Sequence, residues 1–416
     1  MNKDMRPKQY LYWEQLMEHL HGDTSVFFSE NFVYPRQLEI HLPGNHNKAC
    51  LLGCSHCAGR YFQKDLGTWE LDGLEILNKL KGKVPYHIYG GAYTEPILNP
   101  YFLTYLATTK RHGNHFGIHT SGIFLDEMEN KFGFLTELNR ISTDNIDYLS
   151  ISLDAGSSKS WQKTKKGKEE WFDGIIEGLR KAVRIREKAG KGHAIRVCYL
   201  MFEGNESLED IEKICTIVKD LKVDSLRFSI PFAHYNQDFD TIRRYKNKKE
   251  RPYSKIFEER LEPFLSKSQN ERPYIFYTGP EFTDIDKFSF NKCIYSYYQI
   301  TFGADGYYYR CSTTATPTMK MCRLGKIDSD IEKFHQLMSK NMNNTWNANI
   351  CFSKGARCNR MGLEINLAYQ DLETKFDSFN GVDCVRATNL AALSKNSLSD
   401  WRMIEIESPG FLPDGL

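Results

Sequence analysis

The sequence lacks the features of a membrane or secreted protein. It has no run of 18 apolar residues, and its first residues, Met1 to Pro7, contain no apolar signal segment. Lys and Arg number 55 and Asp and Glu 53, so charge gives no reason to expect a nucleic acid or a membrane as partner. Internal repeats and low-complexity tracts are also absent. We therefore expect a cytoplasmic globular protein whose 11 cysteines bind metal rather than form disulfides.

Three of the cysteines, Cys50, Cys54 and Cys57, lie in one short stretch at C-x3-C-x2-C spacing. Thiolates this close together suit an iron–sulfur cluster. A structural zinc site needs a fourth nearby ligand, and His56, between two of the cysteines, is poorly placed to provide it. A disulfide would leave one thiol over. A cubane cluster has four irons, so three cysteines leave one iron open for reaction.

Strand and helix patterns alternate along the chain from Gln37 onward. The predicted strands are Gln37–Leu42, Tyr86–Tyr89, Phe116–His119, Tyr148–Leu153, Ile195–Phe202 and Ser225–Ile230. The predicted helices between them are Glu70–Leu80, Tyr101–Thr109, Met128–Leu138, Trp171–Lys188 and Leu208–Leu221. This alternation predicts an α/β fold, a partial (β/α)6 TIM-like barrel, because six units are too few for a full barrel. The cysteine loop follows the first strand, where the catalytic groups of such barrels lie.

Glycine and short polar residues follow the next strands. Gly90 and Gly91 end the second strand and allow the backbone to approach a ligand closely. Ser121 follows the third strand, and Ser152 and Asp154 share one face of the fourth. Polar residues on that face indicate a wet interior lined for a ligand, the alternative being a strand exposed on one side.

Two arginines in the later strands have two interpretations. Arg196 in the fifth strand and Arg227 in the sixth either face a carboxylate or form ordinary surface ion pairs. Two basic runs, at residues 163–168 and 243–251, fit solvated loops better than a binding site for an anionic substrate.

A second group of cysteines follows the barrel. Apolar and aromatic residues alternate on both sides of residues 303–306, which predicts a β-hairpin. A hairpin brings its ends together, so Cys293 and Cys311 become neighbours, and Cys351 and Cys358 follow later in the chain. The alternative is a set of buried free thiols in an unrelated domain.

The C-x3-C-x2-C loop resembles that of the radical S-adenosylmethionine (SAM) enzymes. The C-x12-G-x4-C arrangement of Cys293, Gly306 and Cys311 resembles their SPASM/Twitch extensions. The first resemblance implies a partial barrel, a [4Fe-4S] cluster held by three cysteines, and cleavage of SAM to a 5′-deoxyadenosyl radical that abstracts a substrate hydrogen. The second implies one auxiliary [4Fe-4S] cluster, since the denser run of a two-cluster domain is absent. Its first-choice ligands are Cys293, Cys311, Cys351 and Cys358, with Cys322 and Cys384 as alternates.

The resemblance also implies the cofactor contacts. The family has a Gly-Gly-Glu-Pro run that holds the amino group of the methionine moiety, whereas here three residues separate Gly91 from Glu95. Ser121 matches the third-strand motif near the ribose and carboxylate, and the fourth-strand motif is also similar. The predicted cofactor-binding residues are Gly90, Gly91, Glu95, Ser121, Ser152, Asp154 and Arg196.

The chain divides into four predicted regions. Residues 1–36 form an N-terminal helical extension, 37–235 the radical SAM partial barrel, and 236–285 a linker and helix. Residues 286–416 form an α+β auxiliary-cluster domain, a β-hairpin plus helices.

The resemblance leaves the substrate open. One hypothesis is oxidation or cross-linking of a ribosomally synthesised peptide, and another is dehydrogenation or dehydration of a small sugar-like metabolite. A non-catalytic iron–sulfur protein is the third. A reducing flavodoxin or ferredoxin is the expected partner, and neither nucleic acid nor membrane is expected. The general base is unassigned among Tyr277, Glu281, Asp284 and Asp286.

Overall fold

The computed structural model describes most of the chain between residues 10 and 380. The described residues are 10–45, 49–54, 57, 66–91, 93–143, 146–201, 204–229, 257–268, 270–278, 290, 292–343, 346–347, 350–351 and 358–380. Their strands form one ten-stranded sheet in the order β10-β9-β8-β1-β2-β3-β4-β5-β6-β7. The strands are β1 Gln37–Ile40, β2 Tyr86–Tyr89, β3 His115–Thr120, β4 Tyr148–Ser152, β5 Ala194–Leu200, β6 Ser225–Ser229, β7 Tyr274–Thr278, β8 Gln299–Phe302, β9 Tyr307–Tyr309 and β10 Arg323–Lys326.

Eight neighbouring strands of this sheet, β8 and β1 to β7, run parallel. Strands β1 to β6 match the six predicted strands to within two residues over the described part of each. The predicted hairpin is formed by β8 and β9, but β8 also pairs in parallel with β1, Gln37 lying opposite Gln299. The fold class is therefore confirmed, and the parallel array is two strands longer than the six-unit prediction.

The helices lie mainly between the parallel strands. They are α1 Tyr12–His19, α2 Glu70–Leu80, α3 Phe102–Arg111, α4 Leu125–Phe132, α5 Phe134–Ile141, α6 Ser158–Lys165, α7 Trp171–Ala189, α8 Leu208–Leu221, α9 Tyr295–Tyr298, α10 Ile331–Asn343 and α11 Arg360–Asn380. The single helix predicted near residues 128–138 is two helices, because Gly133 takes a φ of 62° and ends α4. In the part of the chain that the structure describes, none of the helices is long and apolar enough to cross a membrane.

The two faces of the sheet differ in character. On the outer face, residues such as Leu38, Ile118 and Val197 pack with the helices into the main hydrophobic core. Successive strand residues point to opposite faces, so their neighbours lie on the inner face. The polar members of the inner face include Gln37, Glu39, His119, Tyr148, Ser150, Ser152, Arg196, Arg227 and Ser229.

The N-terminal segment lies against the gap between the two ends of the parallel array. Among the described residues, β7 and β8 are not hydrogen-bonded to each other. The ring of Tyr10 lies 5.0 Å from that of Phe276 in β7, and the ring of Tyr12 lies 6.1 Å from that of Tyr298, next to β8. Aromatic side chains from the N-terminal segment thus lie beside both end strands of the parallel array.

Candidate cluster and cofactor sites

The cysteine loop begins after the carboxyl end of β1 and is tied to the loop that follows β2. The Glu95 N–H donates to the Ala49 carbonyl at 2.9 Å, and the Cys57 N–H donates to the Cys54 carbonyl at 3.1 Å. Cys50, Cys54 and Cys57 are all half-buried, and none of them forms a disulfide. The three predicted ligands therefore share one loop at the end of the parallel strands where the sequence predicted the site.

The end of α6 packs against this loop. The Gly53 N–H donates to the Lys165 carbonyl at 3.1 Å. A Cβ atom on Gly53 would lie 3.3 Å from the Cβ of Lys166, which is closer than an ordinary contact. Glycine therefore allows α6 to hold the loop between Cys50 and Cys54.

The electrostatics of the loop favour a positively charged occupant. Burial raises the pKa of the Cys50 thiol and raises that of Cys54 to about 12, although Lys165 acts on Cys54 in the opposite direction. Iron binds the thiolate form, and the metal supplies the positive charge that stabilises it. Three half-buried cysteine sulfurs on one loop fit a [4Fe-4S] cluster with one open iron.

The paired glycines lie beside the end of β3. A Cβ atom on Gly91 would lie 2.3 Å from Thr94 Oγ1, so this tight turn excludes any side chain. A Cβ atom on Gly90 would lie 3.5 Å from the Cβ of His119. Burial, together with nearby Arg227, lowers the pKa of His119 to about 4, so its ring is neutral at physiological pH. Its Nε2 lies 2.9 Å from Tyr148 Oη.

The structure brings Glu95 and Ser121 together. Glu95 Oε2 accepts from the Ser121 N–H at 2.8 Å and from the Ser121 hydroxyl at 2.6 Å, while Oε1 accepts from the Thr120 hydroxyl at 2.6 Å. Burial raises the pKa of Glu95 despite these bonds. Both carboxylate oxygens therefore have partners within the protein, which ties the loop after β2 to the end of β3.

Asp154 is held in a similar way by the protein. Its Oδ2 lies 2.5 Å from Lys165 Nζ, its Oδ1 accepts from the Leu200 N–H at 2.7 Å, and its carbonyl accepts from the Asn205 side chain at 2.8 Å. Asp154 and Lys165 are each only 3% exposed. Asp154 thus anchors α6, whose end supports the cysteine loop.

Ser152 and Arg196 lie on the inner face of the sheet, and both are half-buried. Ser152 is the last residue of β4. The guanidinium carbon of Arg196 lies 4.0 Å from the centre of the Tyr148 ring. These two predicted residues therefore face the interior rather than the helices.

The second group of cysteines lines one cavity in the C-terminal part of the chain. The cavity walls include all four predicted ligands and also the alternate Cys322: Cys293, Cys311, Cys322, Cys351 and Cys358. Cys322 Sγ lies 3.8 Å from Cys351 Sγ. The predicted neighbourhood of Cys293 and Cys311 is thus present, with one thiol more than a cubane cluster requires.

Polar groups point at these sulfurs. The Trp346 indole N–H lies 3.3 Å from Cys351 Sγ, the Asn366 side-chain amide 3.4 Å from Cys293 Sγ, and the Thr313 hydroxyl 3.2 Å from Cys311 Sγ. Hydrogen bonds to sulfur are among the groups that tune iron–sulfur clusters. Within the described residues, no three Cys, His, Asp or Glu side chains are grouped closely enough for a single metal ion. A cubane spreads its thiolates over four irons, so this wider ring of sulfurs fits a cluster better than a mononuclear metal.

Polar contacts run from the inner face of the sheet towards this cavity. Glu39 Oε1 lies 2.8 Å from His41 Nε2, and Glu39 Oε2 accepts from the Gln299 amide at 2.7 Å. Burial by itself would raise the pKa of Glu39, but His41 and the hydroxyl of Ser312 lower it. Ser312 in turn lies 3.4 Å from the side-chain amide of Asn359, which lines the cavity.

Residues 45–215 match the family model of the Radical SAM superfamily. These residues form a radical SAM domain. The matched segment contains Cys50, Cys54 and Cys57 together with β2 to β5, so the resemblance is confirmed for this part of the chain. The superfamily uses a [4Fe-4S] cluster and SAM, and the cysteine loop fits that cluster.

Several solved structures are similar to this chain. SuiB from Streptococcus suis is 14% identical, with a TM-score of 0.49 over 84% of this chain and 74% of SuiB. SuiB bound to its precursor peptide SuiA is 14% identical, with a TM-score of 0.48 over 79% of this chain and 68% of that chain. Coproporphyrinogen III oxidase (HemN) from Escherichia coli, described as a radical SAM enzyme, is 16% identical, with a TM-score of 0.33 over 56% and 49% of the two chains. No curated protein matches the sequence.

Some of the residues considered as candidates lie apart from both sites. Cys215 is buried in the main hydrophobic core, whereas Cys198 is buried on the inner face of β5, in register with Arg227. Tyr277, a candidate base, packs against the main core on the outer face of β7. The other candidate bases and the alternate ligand lie outside the described residues: Glu281, Asp284, Asp286 and Cys384.

Lys165 is the residue beside the radical SAM loop that the sequence did not indicate. It belongs to the basic run 163–168, for which the sequence favoured a solvated loop, whereas the structure places residues 163–165 in α6 and buries Lys165. The signal that was available is helical spacing, because Trp161, Thr164 and Lys165 share one helix face and are all buried.

Proposed function

We propose that this protein cleaves SAM reductively and uses the resulting radical to oxidise or cross-link a ribosomally synthesised peptide. When bound, the two iron–sulfur clusters and SAM supply a 5′-deoxyadenosyl radical and an acceptor for one electron. The observation that carries the proposal is the pairing of a three-cysteine loop on the radical SAM domain with a separate cavity that five cysteines line. A fully ligated cluster in that cavity favours oxidation, since it binds no substrate itself.

The chain's own residues would hold and enclose the reactants. Cys50, Cys54 and Cys57 would ligate the first cluster, and Gly90 and Gly91 would present backbone groups to the methionine moiety of SAM. Four of the five cavity cysteines would ligate the second. The inner face of the sheet, half-buried and polar, would position the substrate and limit its contact with water.

The peptide substrate is the finer part of the proposal. It is favoured by the size of the C-terminal region, from β7 to α11, which exceeds what a single electron-transfer site needs. The electron donor would be a cytoplasmic flavodoxin or ferredoxin.

Anaerobic reconstitution with iron and sulfide tests the chemistry. We expect about eight irons per chain and formation of 5′-deoxyadenosine from SAM and a reductant. Cys54→Ser should abolish this product, whereas Cys215→Ser, at a buried thiol of α8 in the main hydrophobic core, should not. A Cys54→Ser protein that still forms 5′-deoxyadenosine would refute the assignment.

Mass spectrometry tests the substrate. Co-expression with a short peptide encoded by a neighbouring gene is expected to change the mass of that peptide by the loss of hydrogen. An unchanged peptide, together with turnover of a sugar-like metabolite, would refute the peptide substrate and leave the radical chemistry standing.

A further inference from the structure

The inner face of the sheet carries two arginines on adjacent strands. Among the eight parallel strands, Arg196 of β5 and Arg227 of β6 are the only Lys or Arg residues. Arg196 pairs in register with Ser225, and Cys198 pairs with Arg227. The two arginines are therefore two residue steps apart on neighbouring strands, and their side chains point to the same face.

Neither arginine has an ion pair in the part of the chain that the structure describes. The Arg196 guanidinium lies over the Tyr148 ring at 4.0 Å, and that of Arg227 lies 5.7 Å from the centre of the Tyr10 ring. Arg227 Nε is buried without a hydrogen-bond partner. Aromatic rings orient both guanidinium groups but leave their donors available.

Two other sequestered cations of this protein have carboxylate partners. Lys165 pairs with Asp154 at 2.5 Å, and Lys110 pairs with Asp147 at 2.8 Å. This is the usual arrangement, because a cation removed from water without a partner is strongly destabilising. Arg196 and Arg227, by contrast, share a half-buried face without a carboxylate partner among the described residues.

The charge on the inner face does not balance. Glu39 is the one acidic residue in the eight parallel strands, and both of its oxygens already have partners in His41 and Gln299. Within the eight strands, two positive charges face one negative charge, and half-buried Arg36, which lies over the Tyr86 ring, adds a positive charge on the same side. A substrate carboxylate would reduce this excess.

We propose that Arg196 and Arg227 bind a carboxylate of the substrate, supplied by an acidic side chain or the carboxyl terminus of a peptide. Guanidinium groups pair with carboxylates through two parallel N–H···O bonds, which would fix the orientation of the bound group as well as its position. Tyr148, which contacts His119, packs against the Arg196 guanidinium. This inference rests on the proposed function, because it specifies the substrate of the same domain.

The carboxylate could also come from the methionine moiety of SAM, for which the sequence predicted Arg196. Calorimetric titration of the reconstituted protein separates the two sources. One probe is N-acetylglutamate N-methylamide, its uncharged glutamine analogue is the matched control ligand, and SAM is the third ligand. We expect the glutamyl probe to bind at least about tenfold more tightly than the glutamine analogue.

The variants are Arg196→Met and Arg227→Met, with exposed Arg184→Met as the matched control. Each inner-face variant is expected to lower the affinity for the glutamyl probe by about tenfold or more and to leave the affinity for SAM unchanged. Arg184→Met should change neither. Arg196→Lys, which keeps the charge but loses the planar fork, should weaken the probe by an intermediate factor.

Stability provides a second measurement. If Arg227 forms its ion pair only with a bound ligand, Arg227→Met should not lower the melting temperature of the ligand-free protein, because no ion pair is lost. A marked fall would show an internal partner and overturn the proposal. Weakened SAM binding with unchanged probe binding would overturn it as well, as would equal affinity for the glutamyl and glutamine probes. A protein that binds the probe through the arginines but forms no 5′-deoxyadenosine would support this site and refute the proposed function alone.

Discussion

The ion pair of Lys165 and Asp154 allows a quantitative prediction about the support of the cysteine loop. The two charged atoms lie 2.5 Å apart, and each side chain is 3% exposed. Burial by itself would lower the pKa of Lys165, but Asp154 and the nearby Cys54 raise it to about 12. We consider Lys165→Met, which keeps much of the length of the side chain and removes the charge.

The expected loss of stability depends on the bonds that Asp154 keeps after the substitution. Removing one member of a buried ion pair costs about 3–5 kcal/mol, because the other charge stays buried without its counterion. Asp154 keeps the bond from the Leu200 N–H, so the lower end of that range applies. Lys165→Met is therefore expected to lower the free energy of unfolding by about 3 kcal/mol.

The measurement is urea unfolding of the metal-free protein under anaerobic conditions, followed by a double-mutant cycle. The variants are Lys165→Met, Asp154→Asn and the double variant, with exposed Lys163→Met on the same helix as the control. The double variant should recover at least about 1 kcal/mol relative to the sum of the two single losses. A Lys165→Met loss within about 0.5 kcal/mol of zero, or strictly additive losses, would refute the reasoning.

Three further predictions concern other parts of the chain. Asp147→Ala should lower the free energy of unfolding at neutral pH by about 3–5 kcal/mol. Burial by itself would raise the pKa of Asp147, but its contact with His115 and its bonds from Lys110 and two backbone N–H groups lower it. The stabilisation from Asp147 is therefore fully present above the unfolded pKa of about 4 and is lost as the pH falls through the lower folded value. Between pH 7 and pH 3, the free energy of unfolding measured in urea should therefore fall less steeply at the acid end for the variant than for the wild type. Glu95→Gln should cost about 1–3 kcal/mol in the same assay, because an amide cannot accept at both ends. Cys311→Ser should reduce iron from about eight to about four per chain, whereas Cys215→Ser should not.

Each of these predictions has a contradicting result. An Asp147→Ala protein with the same pH dependence as the wild type would show that the carboxylate is not charged in the fold. Unchanged stability of Glu95→Gln would mean that its contacts with Thr120 and Ser121 contribute little. Full iron content in Cys311→Ser would place the second cluster on the remaining cavity cysteines, including Cys322.

The sequence predicted the six central strands because each combines a short apolar pattern with a following turn or helix. It did not predict β7, since Tyr274–Thr278 is a single aromatic-rich run after a long stretch without a strand pattern. It predicted β8 as part of a hairpin but not its pairing with β1, more than 250 residues earlier. Local patterns identify a strand, whereas the partner of its second edge depends on how the whole chain folds.

The candidate sites divide in a similar way. The cysteines were predicted because ligand spacing is a local property of the chain. Glu95 and Asp154 were predicted as cofactor contacts from their places after strands, yet in the structure their carboxylates bond to Ser121 and Lys165. Sequence shows that a polar residue follows a strand, but it does not show which group of the protein already satisfies it. Their contact with SAM stays a prediction.

The pairing of β1 with β8 determines how the two cysteine groups are separated. Because these strands are parallel, the turn after β8 lies at the same end as the cysteine loop, and β9 then runs back along β8 to Cys311. Cys311 and the cavity therefore lie towards the other end of this strand pair. From Gln299 to Phe302 there are three residue steps of about 3.3 Å each, or about 10 Å along the strand. The inner face, with Glu39, Arg196 and Arg227, occupies the sheet between these two ends. A substrate carboxylate bound there would place the reacting group between the site that generates the radical and the site that accepts the electron, which a redox-neutral rearrangement would not require.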